Sequence, residues 1–558
     1  MNKFLGGIIL VERVRPYWPK EVPSQLAYLH GEKTLYDYLV HYGTNKQEET
    51  AYIFYGAEIT WGQLLEDVNK MAAYLKRNGV QKGSTVGIYL QNCPQYIVSH
   101  YAVQQLGGIV VPLNPMFKAD ELTYFLEEAP IMGVITSDDG YDQLHKANTD
   151  HLTFIVTTNY QDYLPETPTL PLCEELSIPK KVIQETDDFI TILAQETPFV
   201  ENEEVDLWND TGLMVFTSGT TGRPKGAMLT YGNALFKTAA AAQANGLSTE
   251  ERIMASAPLS HIAGMVMGLN IPVYNGIPCV LFTRFEPIST VAAIEKYKIT
   301  AWYSIAPMNG AILQVPGIED RNLSSLKNNL ATSFGLQVTE ALAEKWKAVT
   351  KGCVLYEASY GLSETHTCDT FMPKEKIKWG SCGIPVYNTE IRIVNPETGE
   401  ELPSGQSGEI VVNSPGVFKG YWNRPEATVE TLRDGSVYTG DIGYLDEEGY
   451  LYFQGRVKEM IKCSGYSVFP EDVEALLNNH PAIRQSAVIG VPDPLRGESV
   501  KAFVVLHEDY KNQVTPNDII SWSKEHMAAY KYPRYIEIIE QLPTTPAGKV
   551  LRKLLKDE

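Results

Sequence analysis

The sequence predicts an α/β protein: a large N-terminal domain of α/β subdomains plus a small β-rich subdomain, followed by a small α+β C-terminal domain. Three observations predict it. At 558 residues the chain exceeds what a single hydrophobic core supports. From Thr50 onward, strand-like and helix-like stretches alternate, which is the pattern of a mostly parallel sheet. After Gly455 a shorter series of elements begins, about a hundred residues long, a size that folds independently.

The elements follow in order. TAYIF and AEITW read as a hairpin around Tyr55-Gly56, and a helix follows from Gly62 to Lys76. VGIYL is a strand, PQYIVSHYAVQQL a helix and GIVVPL another strand. Residues 139–205 are rich in Thr, Pro and Glu and poor in pattern, so they read as an excursion, not as a linker. The α/β signals resume after Leu207 and run to about Tyr387. EIRIVN, GEIVVNS and GYLYFQG, bounded by Gly, Pro and Asp turns, suggest a β-rich subdomain from Tyr387 to Gln454. In the tail, PEDVEALLNNHP is a helix, RQSAVIGVPD and ESVKAFVVLH are strands, and PNDIISWSKEHM is a helix. The expected division is 1–454 and 455–558.

Composition narrows the partners. A net charge of −21 argues against nucleic acid, whose phosphates are bound by positive surfaces. Seven cysteines, scattered and without a CxxC, suit a reducing cytoplasm and argue against a disulfide framework or zinc ribbon. The start, MNKFLGGIILVERVRPYWP, lacks a small-residue cleavage site after its short apolar stretch, so no signal peptide is expected. The longest apolar passage, Ile262 to Phe282, is broken by Asn270, Pro272, Asn275 and Pro278 and reads as a buried segment, not a transmembrane span. Peripheral membrane contact and a homodimer stay open.

One stretch carries chemistry. FTSGTTGRPKGAMLT, Phe216 to Thr230, holds three glycines, four threonines, a serine, Arg223 and Lys225 behind an apolar run. Backbone N–H groups, hydroxyls and a lysine gathered in one loop suit a phosphate. It is not a Walker loop, because Gly226 follows Lys225 where that motif needs Ser or Thr, and no GxGxxG follows the strand. A surface turn would be the plainer reading, but a turn has little use for so many hydroxyls beside two cations.

Five further motifs follow in the chain: PLSHIAG at 258–264, YGLSE at 360–364, YTGD at 438–441, GRVKEMIKCSGYSVFPEDVE at 455–474 and PTTPAGKVLRK at 543–553. Together with TSGTTGRPKG, in this order and over nearly the whole chain, they resemble the AMP-forming adenylating superfamily of acyl-CoA synthetases, luciferases and peptide-synthetase adenylation domains. The resemblance is nearest to bacterial-type medium- and long-chain fatty acid–CoA ligases. It implies a two-step reaction in which a carboxylate attacks the α-phosphorus of ATP and pyrophosphate leaves. CoA then takes the acyl group and AMP leaves. Both nucleophiles come from substrates, so the protein's task is positioning and charge stabilisation.

The resemblance also implies roles. Thr217, Ser218, Gly219, Thr220, Thr221, Gly222 and Lys225 would wrap the leaving pyrophosphate. Tyr360, beside Gly361, would stack on adenine, and Gly335 would lie in the wall next to it. Ser363 would donate to the α-phosphate, Glu364 would ligate Mg²⁺, and Asp441 and Arg456 would hold the ribose. His261 would border both acyl carbonyl and nucleotide. Lys549 would bridge carboxylate and α-phosphate in the first half-reaction. The C-terminal domain would be mobile about a hinge at Lys458, bringing Lys462 and Gly465 to the CoA in the second. Where many relatives carry SGGA-P, this chain reads Ser333-Phe334-Gly335-Leu336-Gln337, with bulkier neighbours of Gly335.

The acid is read from the segment after His261, which carries no charge as far as Asn270. On a regular helix His261, Gly264, Met265 and Gly268 share one face, so Met265 would line an adaptable acyl pocket. A medium- or long-chain fatty acid follows. A fatty acyl-AMP ligase, or a ligase for an aryl or other acid, is the alternative. An amino-acid adenylation module is disfavoured, since no acidic residue stands there to bind an ammonium group.

Overall fold

The structure is a computed structural model that describes residues 4–5, 8–9, 16–217, 224–333, 337–456, 459–463, 466–493, 496–511, 513–527, 530–544 and 550–556. Two large, mainly parallel sheets form the bulk of the molecule. From edge to edge the first runs Gly420–Tyr421, Lys225–Thr230, Thr211–Thr217, Ile109–Pro112, Thr85–Tyr89, Ile131–Ser137, Phe154–Thr158 and Asp187–Asp188. The second runs Val354–Glu357, Asn328–Thr332, Ala301–Ile305, Ile253–Ala255, Cys279–Leu281, Thr50–Phe54 and Ala57–Thr60.

Two expectations are corrected here. The hairpin at Tyr55-Gly56 forms, with positive φ at both residues, and the helix after it runs Trp61–Arg77 behind a Thr60 capping box. Yet this hairpin joins the second sheet beside Cys279–Leu281, while Thr85–Tyr89 and Ile109–Pro112 lie in the first. Turn chemistry fixes a hairpin locally, whereas its outer partner is chosen by the global packing. Residues 139–205 are not only an excursion: Phe154–Thr158 and Asp187–Asp188 extend the first sheet to its edge, and helix Phe189–Gln195 packs on them.

Helix Pro94–Gln105 links the two sheets. All of its residues are buried, including Gln95, Ser99, His100, Gln104 and Gln105. Tyr96 and Tyr101 on it donate to the carbonyls of Leu259 and Leu269, in the segment that follows the second sheet's strand Ile253–Ala255. That segment winds as helix Ile262–Met265, a π-turn Val266–Asn270 and helix Ile271–Asn275. The expected single helical face is therefore broken by the wider turn.

The β-rich part is a sheet of Glu390–Val394, Gly408–Asn413, Ser436–Leu445 and Leu432–Arg433, with Leu451–Arg456 on the other edge of Ser436–Leu445. Its core holds Ile391, Ile393, Ile410, Val412 and Leu451, and Tyr360 is buried among them. The last sheet orders Tyr466–Val468, Ile461–Cys463, Gly497–Leu506 and Ile483–Asp493, with Tyr535–Ile538 on Gly497–Leu506. Helices Pro470–Leu477 and Pro516–His526 cover it around a separate core of Val473, Leu477, Val488, Val504 and Ile519. The fold is therefore α/β, with a large N-terminal part and a small α+β C-terminal part.

Among the described residues no helix is long and apolar enough to cross a membrane.

Candidate active site

Strands Thr211–Thr217 and Lys225–Thr230 pair antiparallel down to Thr217 opposite Lys225, so these two residues close the base of the glycine-rich loop. Ser218, Gly219, Thr220, Thr221 and Gly222 lie outside the described residues. Lys225 turns its ammonium over the ring of Tyr421, 4.4 Å from the centroid. Tyr421 reaches it because Gly420–Tyr421 is the edge strand next to Lys225–Thr230, with Tyr421 opposite Ala227. The Tyr421 hydroxyl donates to Glu364 Oε1 at 2.6 Å. Burial and the Glu364 charge hold that phenol proton on, well above the ordinary tyrosine range.

Glu364 sits with Ser363 in a single 3₁₀ turn, Ser363–Thr365. Its carbonyl accepts from the Phe418 N–H at 2.9 Å, so the stretch that carries Tyr421 also grips the Glu364 backbone. Just before it, Gly361 is required sterically: a Cβ there would fall 2.6 Å from the Cys368 nitrogen. His366, Thr367 and Cys368 follow with φ of 55°, 54° and 50°. For residues with a Cβ each left-handed conformation costs about 1–2 kcal/mol, so the surroundings must impose it.

Tyr360, Asp441 and Arg456 meet. The Tyr360 hydroxyl donates to Asp441 Oδ2 at 2.8 Å, and Arg456 Nε lies 3.0 Å from Asp441 Oδ1. Asp441 and Arg456 stand opposite each other on neighbouring strands, and Gly440, with φ 68°, lies in a bulge of its strand just before Asp441. Asp441 is only 3 % exposed. Asp441 and Arg456 therefore stand as a preformed pair.

His261 is exposed and caps helix Ile262–Met265, its Nδ1 accepting from Ala263 N–H. Its loop is pinned by Asn92, which donates to Ala257 O and accepts from Leu259 N–H. The residues expected on the pocket face, Gly264, Met265 and Gly268, are packed against their neighbours. A Cβ on Gly264 would lie 2.0 Å from Pro258 O, and one on Gly268 2.7 Å from Ala255 Cβ, so both glycines serve close packing. Met265 is 1 % exposed within the main core. The neighbouring Met267 lines an apolar cavity of about 10 Å³ together with Ile253, Met254, Trp302 and Leu330. That is about enough room for one water molecule.

Gly335 lies outside the described residues, but the wall that carries it is anchored: Ser333 donates through N–H and hydroxyl to Glu357, and its Oγ accepts from Val338 N–H. Burial pushes the Glu357 carboxyl up to about 7, against the two hydrogen bonds from Ser333. Lys458, Gly465 and Lys549 also lie outside the described residues. Lys462 belongs to strand Ile461–Cys463, paired with Ser467. The loop that carries Lys549 is closed at its base by a bridge between Thr544 and Val550.

Tyr421, Glu357, Lys237 and Asp369 were not singled out from the sequence. Tyr421 lies on a two-residue strand and carries no local pattern. Lys237 had a signal: it is a lone cation in Tyr231–Ala244, whose neighbours are almost all small or apolar, and such a helix is buried.

Magnesium fits the donor set. Among the described residues no group of three or more His, Cys, Asp or Glu gathers as for an all-protein metal cage. Mg²⁺ keeps several waters and takes phosphate oxygens, so one carboxylate such as Glu364 is enough.

A fold of this kind, in which the strand that follows a hydroxyl-rich sequence packs beside a carboxylate turn, defines a nucleotide-dependent activating enzyme. The profile of the AMP-binding enzyme family matches residues 40–422, and that of the AMP-binding enzyme C-terminal domain matches 472–549. A long-chain-fatty-acid–CoA ligase of Bacillus subtilis is 36% identical over 97% of both chains. A feruloyl-CoA synthase of an Amycolatopsis species is 32% identical over 89% of this chain and 93% of its own. An anthranilate CoA ligase solved with anthranoyl-AMP superposes with a TM-score of 0.82 at 26% identity, covering 96% of this chain and 97% of its own. The chain belongs to the AMP-binding enzyme family, and it is an AMP-forming acid–CoA ligase.

Proposed function

We propose that the enzyme activates a medium- or long-chain fatty acid with ATP and Mg²⁺ and transfers the acyl group to CoA. The observation that carries the fatty acid is the 36% identity, end to end, with a long-chain-fatty-acid–CoA ligase. The uncharged run from Ile262 to Leu269 supports it, since nothing there would solvate a second charge on the acid.

In this reading the loop from Thr217 to Lys225 takes the β- and γ-phosphates, and Lys225 is held ready over Tyr421. Glu364 would hold Mg²⁺, which screens the triphosphate charge that an incoming carboxylate must approach. Ser363 donates to the α-phosphate, and His261 stands at the mouth where acid and nucleotide meet. The Tyr360–Asp441–Arg456 group takes the nucleoside end. Lys549 offsets the repulsion between carboxylate and α-phosphate. The chain divides at 454/455 into two domains, and a swing about Lys458 exchanges Lys549 for Lys462 and Gly465 in the CoA step. The enzyme works in the cytoplasm. An acyl tail entering beside this segment would displace side chains, and Met is suited to that.

CoA-thioester formation across saturated acids from acetate to stearate, with ferulate and anthranilate alongside, tests the assignment. Each buried methylene is worth about 0.8 kcal/mol, so kcat/KM should rise roughly fourfold per carbon until the pocket ends. A best rate with ferulate, anthranilate or acetate, or a flat chain-length profile, refutes the fatty acid and leaves acid–CoA ligation standing.

A further inference from the structure

Lys237 and Asp369 form an ion pair inside the protein, Nζ to Oδ1 2.5 Å, with both side chains at 0% exposure. A buried pair of this kind is poor evidence for stability, because removing two charges from water offsets most of their attraction. Its location is informative. Lys237 lies on helix Tyr231–Ala244, which begins directly after strand Lys225–Thr230 and is capped by that strand's last residue, Thr230. Asp369 closes the turn that carries Tyr360, Ser363 and Glu364: its N–H donates to Tyr360 O at 2.8 Å, and its carboxylate accepts from the Thr365 hydroxyl. Lys237 also donates to Cys368 O at 3.3 Å, at the end of the three left-handed residues.

The lysine stem has a second contact. A Cβ on Gly416 would fall 2.1 Å from Lys237 Cε, so the stem lies against that loop. Two residues on, Phe418 N–H donates to Glu364 O. Asn233, one helical turn before Lys237, donates to Pro415 O and Val417 O of the same loop. The His366 imidazole is buried beside them, and burial, reinforced by the Lys237 charge, drops it to about 3.

We propose that the Lys237–Asp369 pair is a positioning device for adenylation. It ties the helix that follows the phosphate-loop strand to the strained turn of Tyr360–Cys368 and so fixes Glu364 relative to Lys225. The pair touches no substrate and acts through Glu364 and Tyr360. This rests on the roles proposed above for those two residues.

The test uses the full-length enzyme and the best acid found in the panel. Lys237→Met/Asp369→Leu replaces the pair by apolar groups of similar volume, so the fold is kept without a buried lone charge. The expected result is a melting temperature near that of the wild type. Acid-dependent ATP–pyrophosphate exchange should fall by on the order of 10²-fold, the cost of misplacing a reacting group by about an ångström. Thioester formation from added acyl-adenylate and CoA, which does not need Glu364, should stay within about threefold of the wild type, well inside that positioning loss. Lys237→Arg should recover part of the exchange rate. Exchange at the wild-type rate in the double variant overturns the proposal, as does equal loss of both half-reactions. Glu364→Gln is the control: if it too exchanges normally, the assignment of Glu364 fails instead.

Discussion

Tyr421 joins the two charges at the heart of the site: its hydroxyl donates to Glu364 at 2.6 Å while its ring carries the Lys225 ammonium at 4.4 Å. One aromatic side chain therefore sets the spacing between the cation of the phosphate loop and the carboxylate proposed for the metal. Hydroxyl and ring act separately, and a single atom distinguishes them.

Tyr421→Phe keeps the ring under Lys225 and removes the donor to Glu364. A hydrogen bond to a charged group contributes about 1.5–3 kcal/mol, so adenylation should slow by roughly tenfold or more. The Mg²⁺ concentration for half-maximal rate should shift as well, because the carboxylate has lost its anchor. Titration of pyrophosphate exchange with Mg²⁺ checks this. An unchanged rate and an unchanged Mg²⁺ profile would mean that Tyr421 serves packing only.

Lys549→Ala should separate the half-reactions. Losing one aimed donor costs on the order of 10²–10³ in rate, and here the loss should fall on adenylate formation while added acyl-adenylate still reacts with CoA. Rapid-quench measurement of each step decides it. Parallel loss of both steps would give Lys549 a role in docking the C-terminal part instead.

Glu357 gives a pH signature. Its folded-state carboxyl lies at about 7, above the ordinary glutamate value of 4.5. Between those two values the folded chain binds a proton that the unfolded chain has released, so this group's contribution to stability falls as pH rises. Above about 7 both states are ionised and the loss levels off. Glu357→Gln lacks the titration. The variant's melting temperature should gain on the wild type from pH 5 upward and run parallel above about 7. Parallel curves throughout would mean that Glu357 is an ordinary ionised carboxylate.

Most secondary elements were legible because their signals are local. The hairpin around Tyr55-Gly56 and the period of PNDIISWSKEHM are each written within a few residues. The site motifs were legible for the same reason, and the structure brings Tyr360, Asp441 and Arg456 together. What was missed depends on distant partners. Tyr421 gains its place by pairing with Ala227, and Lys237 by meeting Asp369. Strand Ser436–Leu445 was hidden by the turn-like Thr-Gly-Asp at its centre. The π-turn at Val266–Asn270 has no marker in its residues, and it undid the face that had been read from regular helical spacing.

The early hairpin of the second sheet has a consequence for how the chain is born. Tyr52 waits for Cys279, its partner in the sheet. At ~5–20 residues per second a ribosome needs on the order of 10–45 s to deliver that partner. For that interval the outer edge of Thr50–Phe54 carries free N–H and carbonyl groups on a nascent chain, a template for unwanted pairing. Strands Thr85–Tyr89 and Ile109–Pro112 close on each other far sooner. The first sheet can therefore begin to set during synthesis, while the second must be finished after residue 281 has left the exit tunnel. Substitutions that weaken the hairpin's own turn should then lower the yield of soluble protein more than they lower its melting temperature.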